Sequence, residues 1–189
     1  MTHHELERLG VMVDDILRSS LDDESPAMYN NESVELQGIV SEVITSLRLK
    51  YSSREIDFSA DIAEGTRLWV DKTSLRTIVQ NLVDNSIKYS DGVAKIRLLA
   101  IVSDTNVSFS IRDEGVGIEH SEQRRVFDKF YRVTSHYRQN SQGYGLGLYH
   151  VRMLVERSGG SIYLQSMPGR GTSVTVTLPK YGEKSDSCR

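Results

Sequence analysis

A long amphipathic helix followed directly by two strands is the feature that most constrains what this chain can fold into. From about Asp71 onward, apolar residues recur at spacings typical of the buried face of a helix: Leu75, Ile78, Val79, Leu82, Val83 and Ile87. The next two segments, Ala94 to Val102 and Asn106 to Asp113, are predicted to be strands. A helix and a strand pair that each carry one apolar face must pack these faces together, which indicates a layered α+β fold.

Shorter segments on both sides extend this pattern. The sequence predicts a strand at Glu32 to Leu36, an amphipathic helix from Leu36 to Tyr51, strands at Ile56 to Ala60 and Arg67 to Val70, a helix from Leu146 to Ser158, and a final hairpin formed by Ser161 to Ser166 and Ser173 to Leu178. The predicted fold is therefore a two-layer α/β sandwich, in which a mixed, mostly antiparallel sheet carries the helices on one face.

The N-terminal segment is separate from this unit. Four apolar residues at helical spacing, Leu6, Leu9, Val13 and Ile16, predict one amphipathic helix over residues 5–21. A helix of this length is too short to be stable alone and should pair with another helix. A polar stretch from Asp22 to Asn31 contains a proline and is interpreted as a linker. We therefore divide the chain into a partial helical unit (1–25), a main domain (26–179) and a polar tail expected to be disordered (180–189).

Composition and charge exclude several classes of function. The formal net charge of −3 provides no basic surface for a nucleic-acid partner. The single cysteine, Cys188, excludes a disulfide framework and a cysteine-based metal site, which favours a reducing, cytoplasmic setting. No apolar run approaches the roughly 20 residues that span a bilayer, so we expect any membrane anchor of a parent receptor to lie outside this sequence.

The end of the second strand carries the first candidate for chemistry. Phe109, Ile111 and Asp113 share one face of the strand, so the Asp113 carboxylate points toward the core, where it needs hydrogen-bond donors. Gly115 and Gly117 follow at once and leave room for tight turns and a flat ligand. An exocyclic amine such as that of adenine would satisfy the carboxylate. Alternatively, Asp113 only caps the turn that leaves the strand.

A row of polar side chains follows one face of the long helix. Asn81, Asn85 and Lys88 lie about one turn apart, on a face away from the apolar stripe. Two amides and one ammonium suit phosphates and a hydrated Mg²⁺, which takes oxygen ligands and keeps several waters. Asparagine is a mediocre helix former, so this pair favours a ligand site over the alternative of a merely solvated polar face.

Three glycines, Gly143, Gly145 and Gly147, alternate with Tyr144 and Leu146 where the last helix begins. A glycine-rich helix N-terminus presents backbone N–H groups and a partial positive charge to phosphate. The spacing is neither that of a P-loop nor that of a dinucleotide fingerprint, and the same glycines would also suit a simple turn.

An aromatic cluster lies in the otherwise polar segment before these glycines. Phe127, Phe130 and Tyr131 predict either a lid over a ligand or a loop anchored to the core. Because the segment from about Glu119 to Gln142 has few periodic apolar residues, we expect it to be mobile without a ligand. As part of a lid, Arg132 would reach a terminal phosphate.

Five motifs in this order resemble the N, G1, F, G2 and G3 boxes of histidine kinases, which belong to the ATPase superfamily shared with DNA gyrase and MutL. They are Asn81-Leu-Val-Asp-Asn85-Ser-Ile-Lys88-Tyr89, Asp113-Glu-Gly115-Val-Gly117-Ile118, Phe127-Asp-Lys-Phe130-Tyr-Arg132, Gly143-Tyr-Gly145-Leu-Gly147-Leu148 and Gly169-Arg-Gly171-Thr172. The resemblance extends over residues 27–178 and implies a Bergerat α/β sandwich. In addition, the stretch Glu5 to Leu21, which contains Met12-Val-Asp-Asp-Ile-Leu17, resembles the second helix of the family's dimerisation hairpin.

The resemblance implies a role for each matching residue, with ATP and Mg²⁺ as ligands. Asn85 would coordinate Mg²⁺, Asn81 would position water or phosphate, and Arg132 would approach the γ-phosphate, so Asn81 and Arg132 form the implied catalytic pair. Asp113 would bind the adenine amino group. The remaining implied nucleotide contacts are Lys88 with phosphate, Tyr89 with adenine or ribose, and Gly115, Gly117, Ile118, Gly143, Gly145, Leu146, Gly147 and Thr172.

The implied activity is phosphoryl transfer from ATP to a histidine on a dimerisation domain. That domain is expected to be largely absent here, since Met12 follows His4 too closely for a first helix and a loop. The implied partners are this domain, in a homodimeric and membrane-anchored parent kinase, and the receiver domain of a response regulator. Tyr144 departs from the small residue or threonine usual at its position, so the hinge of the lid would be less free.

Two other functions compete with the kinase. One is an ATP hydrolase of the gyrase and MutL type, and the other is a non-catalytic nucleotide-binding module that regulates a partner. By family resemblance, the gyrase and MutL branches carry a carboxylate base at the position where this chain has Asn81. An amide cannot act as a general base. Asn81 therefore favours the kinase over the hydrolase, whereas only a phosphotransfer assay separates the kinase from the regulatory module.

Overall fold

The computed structural model describes residues 30–133 and 144–180, so the predicted N-terminal helix and the C-terminal tail lie outside the described residues. The helices and strands are β1 (Asn31–Glu35), α1 (Leu36–Lys50), β2 (Ile56–Asp61), β3 (Arg67–Asp71), α2 (Lys72–Lys88), β4 (Ala94–Val102), β5 (Asn106–Asp113), a short 3-10 turn (Arg125–Phe127), α3 (Gly147–Arg157), β6 (Ser161–Met167) and β7 (Gly171–Pro179). Among the described helices, none combines the length and the apolar character that a membrane crossing needs.

Five strands form the main sheet, in the order β2-β4-β5-β7-β6. Neighbouring strands are antiparallel except β2 and β4, which run parallel. The strands β1 and β3 form a separate two-stranded antiparallel sheet. The main sheet is therefore mixed and mostly antiparallel, as predicted, whereas nothing in the sequence pattern indicates the separate small sheet.

The apolar stripe of α2 lies at the centre of the core. Leu75, Ile78 and Ile87 are 0% exposed, and on the sheet side Phe109 of β5 is equally buried next to Val176 of β7. Helices α1 and α3 both pack against α2, so the three helices cover one face of the sheet. Burying an apolar side chain of this size stabilises the fold by about 1.5–3 kcal/mol, so this interface contributes strongly to stability.

The start of α2 is fixed by the residue that ends β3. The Asp71 carboxylate accepts a hydrogen bond of 2.7 Å from the backbone N–H of Ser74, as expected for a helix N-cap. With its stripe buried and its first turn capped, α2 has a defined rotation about its axis. Its opposite face, which carries Asn81 and Asn85, is left partly exposed.

Element boundaries agree with the prediction to within two residues. The strands Ala94–Val102 and Asn106–Asp113 are confirmed at both ends. Strand β7 begins at Gly171 rather than at Ser173, because the cross-strand pair of Met167 and Gly171 extends the hairpin toward its turn.

Candidate functional site

Asp113 ends β5 with its side chain directed into the protein. The residue is 8% exposed, and its Oδ1 accepts hydrogen bonds from the backbone N–H groups of Gly115 at 2.9 Å and Thr172 at 3.1 Å. The hydroxyl of Ser86 on α2 donates to Oδ2 at 3.1 Å. Burial raises the pKa of the Asp113 carboxyl above its ordinary value, and the three donors offset part of that effect.

The Asp113 carboxylate has room for a further donor. An ionised carboxylate offers about four acceptor positions, and within the described ranges Oδ2 receives only the Ser86 hydroxyl. The bond from Gly115 shows that Asp113 does cap the turn after its strand, but this bond uses Oδ1. The two interpretations of Asp113 are therefore compatible, since a ligand amine would be bound through Oδ2.

The turn after Asp113 lies against the C-terminal end of α2. The N–H of Val116 donates to the carbonyl oxygen of Tyr89 at 3.0 Å, and a Cβ added to Gly115 would lie 2.5 Å from the same oxygen. Only glycine permits such a close approach. Tyr89 itself is 41% exposed, and the contact of its ring with adenine or ribose stays a prediction.

The polar face of α2 meets the N-terminus of α3. A Cβ added to Gly147 would lie 3.2 Å from Oδ1 of Asn81 and 3.8 Å from Nδ2 of Asn85. The Nδ2 of Asn81 donates to the carbonyl oxygen of Thr77 at 3.0 Å, which leaves Oδ1 facing Gly147. The structure thus places both asparagines beside the first turn of α3, where backbone N–H groups lack partners within the helix.

Lys88 does not extend the row of asparagines as a free ligand. Its Nζ forms an ion pair of 2.5 Å with Oδ2 of Asp84, one helical turn earlier. Oδ1 of Asp84 accepts hydrogen bonds from Nζ of Lys50 at 2.7 Å and from the hydroxyl of Tyr51 at 2.9 Å. Burial opposes the ionisation of Asp84, but the two ammonium groups outweigh burial and hold its pKa below the ordinary value. Burial, together with Asp84, raises the pKa of the Tyr51 hydroxyl above its ordinary range.

Arg54 closes the C-terminal end of α2. Its guanidinium donates to the carbonyl oxygens of Ile87 at 2.6 Å, Ser90 at 2.8 Å and Gly92 at 3.3 Å. The last carbonyl groups of a helix lack partners within the helix, and a cation there also complements the helix dipole. These carbonyls lie on both sides of Tyr89, so Arg54 fixes the backbone on which the turn after β5 rests.

The hairpin of β6 and β7 supports the site from the sheet side. The N–H of Ile118 donates to Oγ of Ser166 at 2.8 Å, and this hydroxyl lies 2.8 Å from Oγ1 of Thr172. The side-chain amide of Gln123 donates to the carbonyl oxygens of Ile118 at 3.0 Å and Ser166 at 2.8 Å. Gly117 packs directly on the backbone at the end of β6. The predicted residues Gly117, Ile118 and Thr172 therefore lie together on the side of the site that the hairpin of β6 and β7 forms.

The described part of the aromatic segment is anchored to the domain. The N–H of Phe130 donates to the carbonyl oxygen of Gly145 at 3.1 Å, and a Cβ on Gly145 would lie 2.5 Å from the carbonyl oxygen of Tyr131. Phe127 and Tyr131 pack against the core, whereas Phe130 is 55% exposed and has a φ of 65°. For residues 119–133, these contacts and the Gln123 hydrogen bonds favour the interpretation as a loop anchored to the core, and mobility of the segment without a ligand stays a prediction.

The remaining predicted residues lie around this anchor. Arg132 follows Tyr131 and is exposed, and its contact with phosphate stays a prediction. Leu146 is 3% exposed immediately before α3, which indicates a packing role for its side chain. Gly143 lies outside the described residues.

A magnesium ion would depend on few protein ligands here. Across residues 30–133 and 144–180, no group of three His, Cys, Asp or Glu side chains is placed to hold a metal ion. The amide oxygen of Asn85 is a hard ligand of the kind that magnesium accepts, and magnesium usually takes one or two protein ligands together with substrate phosphates and water. The donor set therefore fits a magnesium ion that arrives with a phosphorylated ligand.

Sequence reasoning missed several residues that support the site, among them Ser86, Ser166, Gln123, Lys50, Tyr51 and Arg54. Ser86 had a detectable signal, because a hydroxyl on the buried face of an apolar helix needs a partner. The others look like ordinary surface residues in the sequence, and only the packing of α1 against α2 reveals the contacts of Lys50, Tyr51 and Arg54.

Comparison with known proteins gives independent evidence. Residues 70–182 match the family described as histidine kinase-, DNA gyrase B-, and HSP90-like ATPase. Sensor-like histidine kinase SenX3 of Mycolicibacterium smegmatis is 30% identical over 177 residues, which cover 94% of this chain and 46% of that protein. Sensor histidine kinase WalK of Bacillus subtilis is 28% identical over 189 residues, which cover 98% of this chain and 31% of that protein. The chain thus spans less than half the length of these two relatives.

Solved structures share the fold. Acinetobacter baumannii histidine kinase AdeS aligns with a TM-score of 0.76 at 21% identity, covering 95% of this chain and 82% of that one. A nucleotide-free catalytic domain of histidine kinase ThkA aligns with a TM-score of 0.66 at 26% identity, covering 80% of this chain and 96% of that one. These likenesses confirm the predicted two-layer α/β sandwich.

Proposed function

This chain belongs to the family of histidine kinase-, DNA gyrase B- and HSP90-like ATPases, and on that basis we propose that it is the Mg-ATP-binding catalytic domain of a sensor histidine kinase. The observation that carries the proposal is the buried carboxylate of Asp113, whose Oδ2 keeps acceptor capacity beside the glycine turn. The polar face of α2 with Asn81 and Asn85 supports the phosphate end of the same site.

Asp113 would select the base. The exocyclic amine of adenine donates hydrogen bonds, whereas guanine carries a carbonyl oxygen at that position, which a carboxylate repels. The two backbone bonds to Oδ1 hold the carboxylate in place, so Oδ2 is oriented before the base arrives. Preorganisation of this kind increases affinity because the site loses little conformational entropy when the base binds.

Asn85 and Asn81 would act at the phosphate end. Asn85 would hold Mg²⁺ through its amide oxygen, and Asn81 would position a water molecule or a phosphate oxygen next to the N-terminus of α3. Magnesium, when bound, neutralises charge on the phosphates. Lys88 and Arg132 would add positive charge, and the N–H groups of the first turn of α3 would donate to phosphate oxygens.

The proposed reaction is transfer of the γ-phosphoryl group to a histidine of a dimerisation domain. A lone pair of the imidazole forms a bond to the γ-phosphorus while the bond from this phosphorus to the bridging oxygen breaks and ADP leaves. The domain contributes positioning and charge stabilisation, as is usual in phosphoryl transfer. Because Asn81 carries an amide, this position offers no general base for the activation of water, which disfavours the hydrolase.

The proposed partners follow from the relatives, which are named sensor histidine kinases. They are the dimerisation domain with its phosphoacceptor histidine, in a homodimeric parent kinase, and the receiver domain of a response regulator. We place the domain in the cytoplasm, where ATP is available, and propose that the parent protein is anchored in a membrane.

A phosphotransfer assay tests the proposal. The chain is incubated with Mg²⁺ and ATP labelled on the γ-phosphate, with and without a separately produced dimerisation domain. We expect acid-labile label on the dimerisation domain, none on this chain alone, and loss of labelling in Asn85→Ala. The matched control is Gln80→Ala, which changes an exposed amide on the same helix. Nucleotide binding without any transfer would instead identify a regulatory module.

A further inference from the structure

The cluster around Asp84 links two helices on the side of α2 that faces α1. The Asp84 side chain is 12% exposed, and its two oxygens receive donors from different elements. Oδ1 is bound by Lys50 and Tyr51 from the end of α1, and Oδ2 is bound by Lys88 in the last turn of α2. A buried carboxylate with three donors is held in one orientation, because any rotation would leave it or its partners unpaired.

Lys88 is the member of this cluster that also belongs to the proposed nucleotide site. A free lysine side chain samples many rotamers and loses considerable entropy when it is fixed on a ligand. Here the ion pair to Asp84 fixes Nζ at the edge of the polar face of α2, and the Lys88 side chain remains 26% exposed. An ammonium group has three N–H donors, so the bond to Asp84 alone does not use its donor capacity.

We propose that Asp84 is a positioning residue that holds the Lys88 ammonium at the phosphate end of the site, while Lys50 and Tyr51 fix the Asp84 carboxylate from α1. This inference rests on the proposed function, in which Lys88 contacts phosphate. It assigns to the end of α1 an indirect part in nucleotide binding.

The charges of the cluster agree with this role. An isolated carboxylate near the triphosphate would repel it and weaken binding. Asp84, however, is paired with two ammonium groups, those of Lys50 and Lys88, so its negative charge is more than balanced within the cluster. Asp84 can therefore orient Lys88 without making the phosphate end of the site negative.

Binding measurements on Asp84→Asn test the inference. The isosteric amide keeps the shape but loses the charge that fixes Lys88, so we expect the dissociation constant for Mg-ATP to rise about tenfold. Affinity for adenosine, which has no phosphate, should not change. In a Lys88→Met background, Asp84→Asn should add no further loss, because the residue it positions is already gone. Tyr51→Phe, which removes a single hydroxyl, should weaken Mg-ATP binding in the same direction by a smaller factor.

The matched control is Glu42→Gln. Glu42 on α1 also forms an ion pair with α2, through Arg76 at 3.3 Å, but this pair is solvent-exposed. The Glu42→Gln variant tests whether the loss of any contact between the two helices affects nucleotide binding. We expect its affinity for Mg-ATP to be unchanged.

The outcomes separate the two proposals. If the wild type binds Mg-ATP and Lys88→Met weakens it, while Asp84→Asn binds as tightly as the wild type, the inference is overturned and the proposed function stands. It is also overturned if Asp84→Asn weakens adenosine and Mg-ATP equally, or if the losses in the double variant add, since either result indicates a purely structural role. A wild-type protein that binds no ATP would overturn the proposed function, and this inference with it.

Discussion

The carbonyl oxygen of Tyr89, just after the end of α2, accepts a hydrogen bond of 3.0 Å from the N–H of Val116, in the turn that follows β5. This bond fixes the end of a helix to the exit of a strand at the place where the adenine-binding carboxylate is proposed to lie. Several of the residues that surround it are glycines or backbone groups, so the shape of the site depends on close backbone contacts as well as on side chains.

Gly115→Ala is expected to disturb this contact. The added Cβ would lie 2.5 Å from the Tyr89 carbonyl oxygen, so one of the two backbones must move. Overpacking of this kind typically destabilises a protein by about 1–3 kcal/mol. We expect a lower melting temperature and a weaker affinity for ATP, measured by thermal unfolding and calorimetry.

The control for Gly115→Ala is Gly38→Ala. Gly38 lies in α1 with no heavy atom within 4 Å of an added Cβ, so the alanine should raise stability by about 0.5–1 kcal/mol and leave ATP affinity unchanged. Equal effects of the two substitutions would contradict the argument from close approach.

Asp113→Asn should abolish the preference for adenine. The asparagine retains an oxygen for the N–H groups of Gly115 and Thr172, but it no longer presents a charged acceptor to the adenine amine. The loss of one charge-assisted hydrogen bond should cost about 1.5–3 kcal/mol of ATP binding. Calorimetric titration with ATP and GTP measures both affinities, and a variant that still prefers ATP by the wild-type factor would exclude the proposed adenine contact.

The same variant should also change the pH dependence of stability. Burial raises the folded-state pKa of Asp113 above its unfolded value, so this carboxyl contributes stability that is fully present below the unfolded pKa and is lost as the pH rises through the folded pKa. Asp113→Asn lacks this titration. Thermal unfolding over a pH series should therefore show the wild type losing stability relative to Asp113→Asn as the pH rises through this window. An unchanged difference at all pH values would contradict the raised pKa.

Asn85→Ala should separate metal binding from base binding. The substitution removes the proposed magnesium ligand at the phosphate end and leaves the carboxylate of Asp113 and its Ser86 donor in place. We expect the Mg²⁺-dependent part of ATP affinity to disappear and the affinity for adenosine to remain, as titrations with and without Mg²⁺ can measure. If adenosine and ATP weaken equally, Asn85 has a structural role.

Arg54→Ala should lower stability and nucleotide affinity together. The guanidinium binds three carbonyl oxygens around Tyr89, and its loss leaves partly buried acceptors without donors. The expected cost is about 1–3 kcal/mol of unfolding free energy, measured by chemical denaturation. Arg48→Ala, which changes an exposed arginine in the last turn of α1, should have a much smaller effect.

Much of the fold follows from local pattern alone. The stripe of α2 and the strands β4 and β5 are confirmed because their apolar periods are long and uninterrupted, and these elements form the centre of the core. The inward direction of Asp113 follows from the same alternation, since Phe109 and Ile111 are buried on its side of the strand.

The contacts that support the site are less accessible to sequence reasoning. Lys50 and Asp84 meet only because α1 packs beside α2, and a lysine in the last turn of one helix does not identify its partner in another. Ser166 and Gln123 likewise meet only when the hairpin of β6 and β7 lies against the turn that follows β5. Such pairs depend on tertiary packing, and many surface arrangements of the same polar residues are chemically reasonable.

The order of strands in the main sheet bears on how the domain acquires its ligand site during folding. β4 with β5 and β6 with β7 are local hairpins, whereas β5 joins β7 only after the long connection from Glu114 to Arg170 has closed. Asp113 ends β5 and Thr172 lies in β7, so their contact forms only when these two strands pair. A chain that has formed both hairpins but not this strand pair would lack the complete nucleotide site. Because the entropy of loop closure grows only slowly with length, the length of this connection adds little to the cost of closure, and the pairing of β5 with β7 is the step that completes the site.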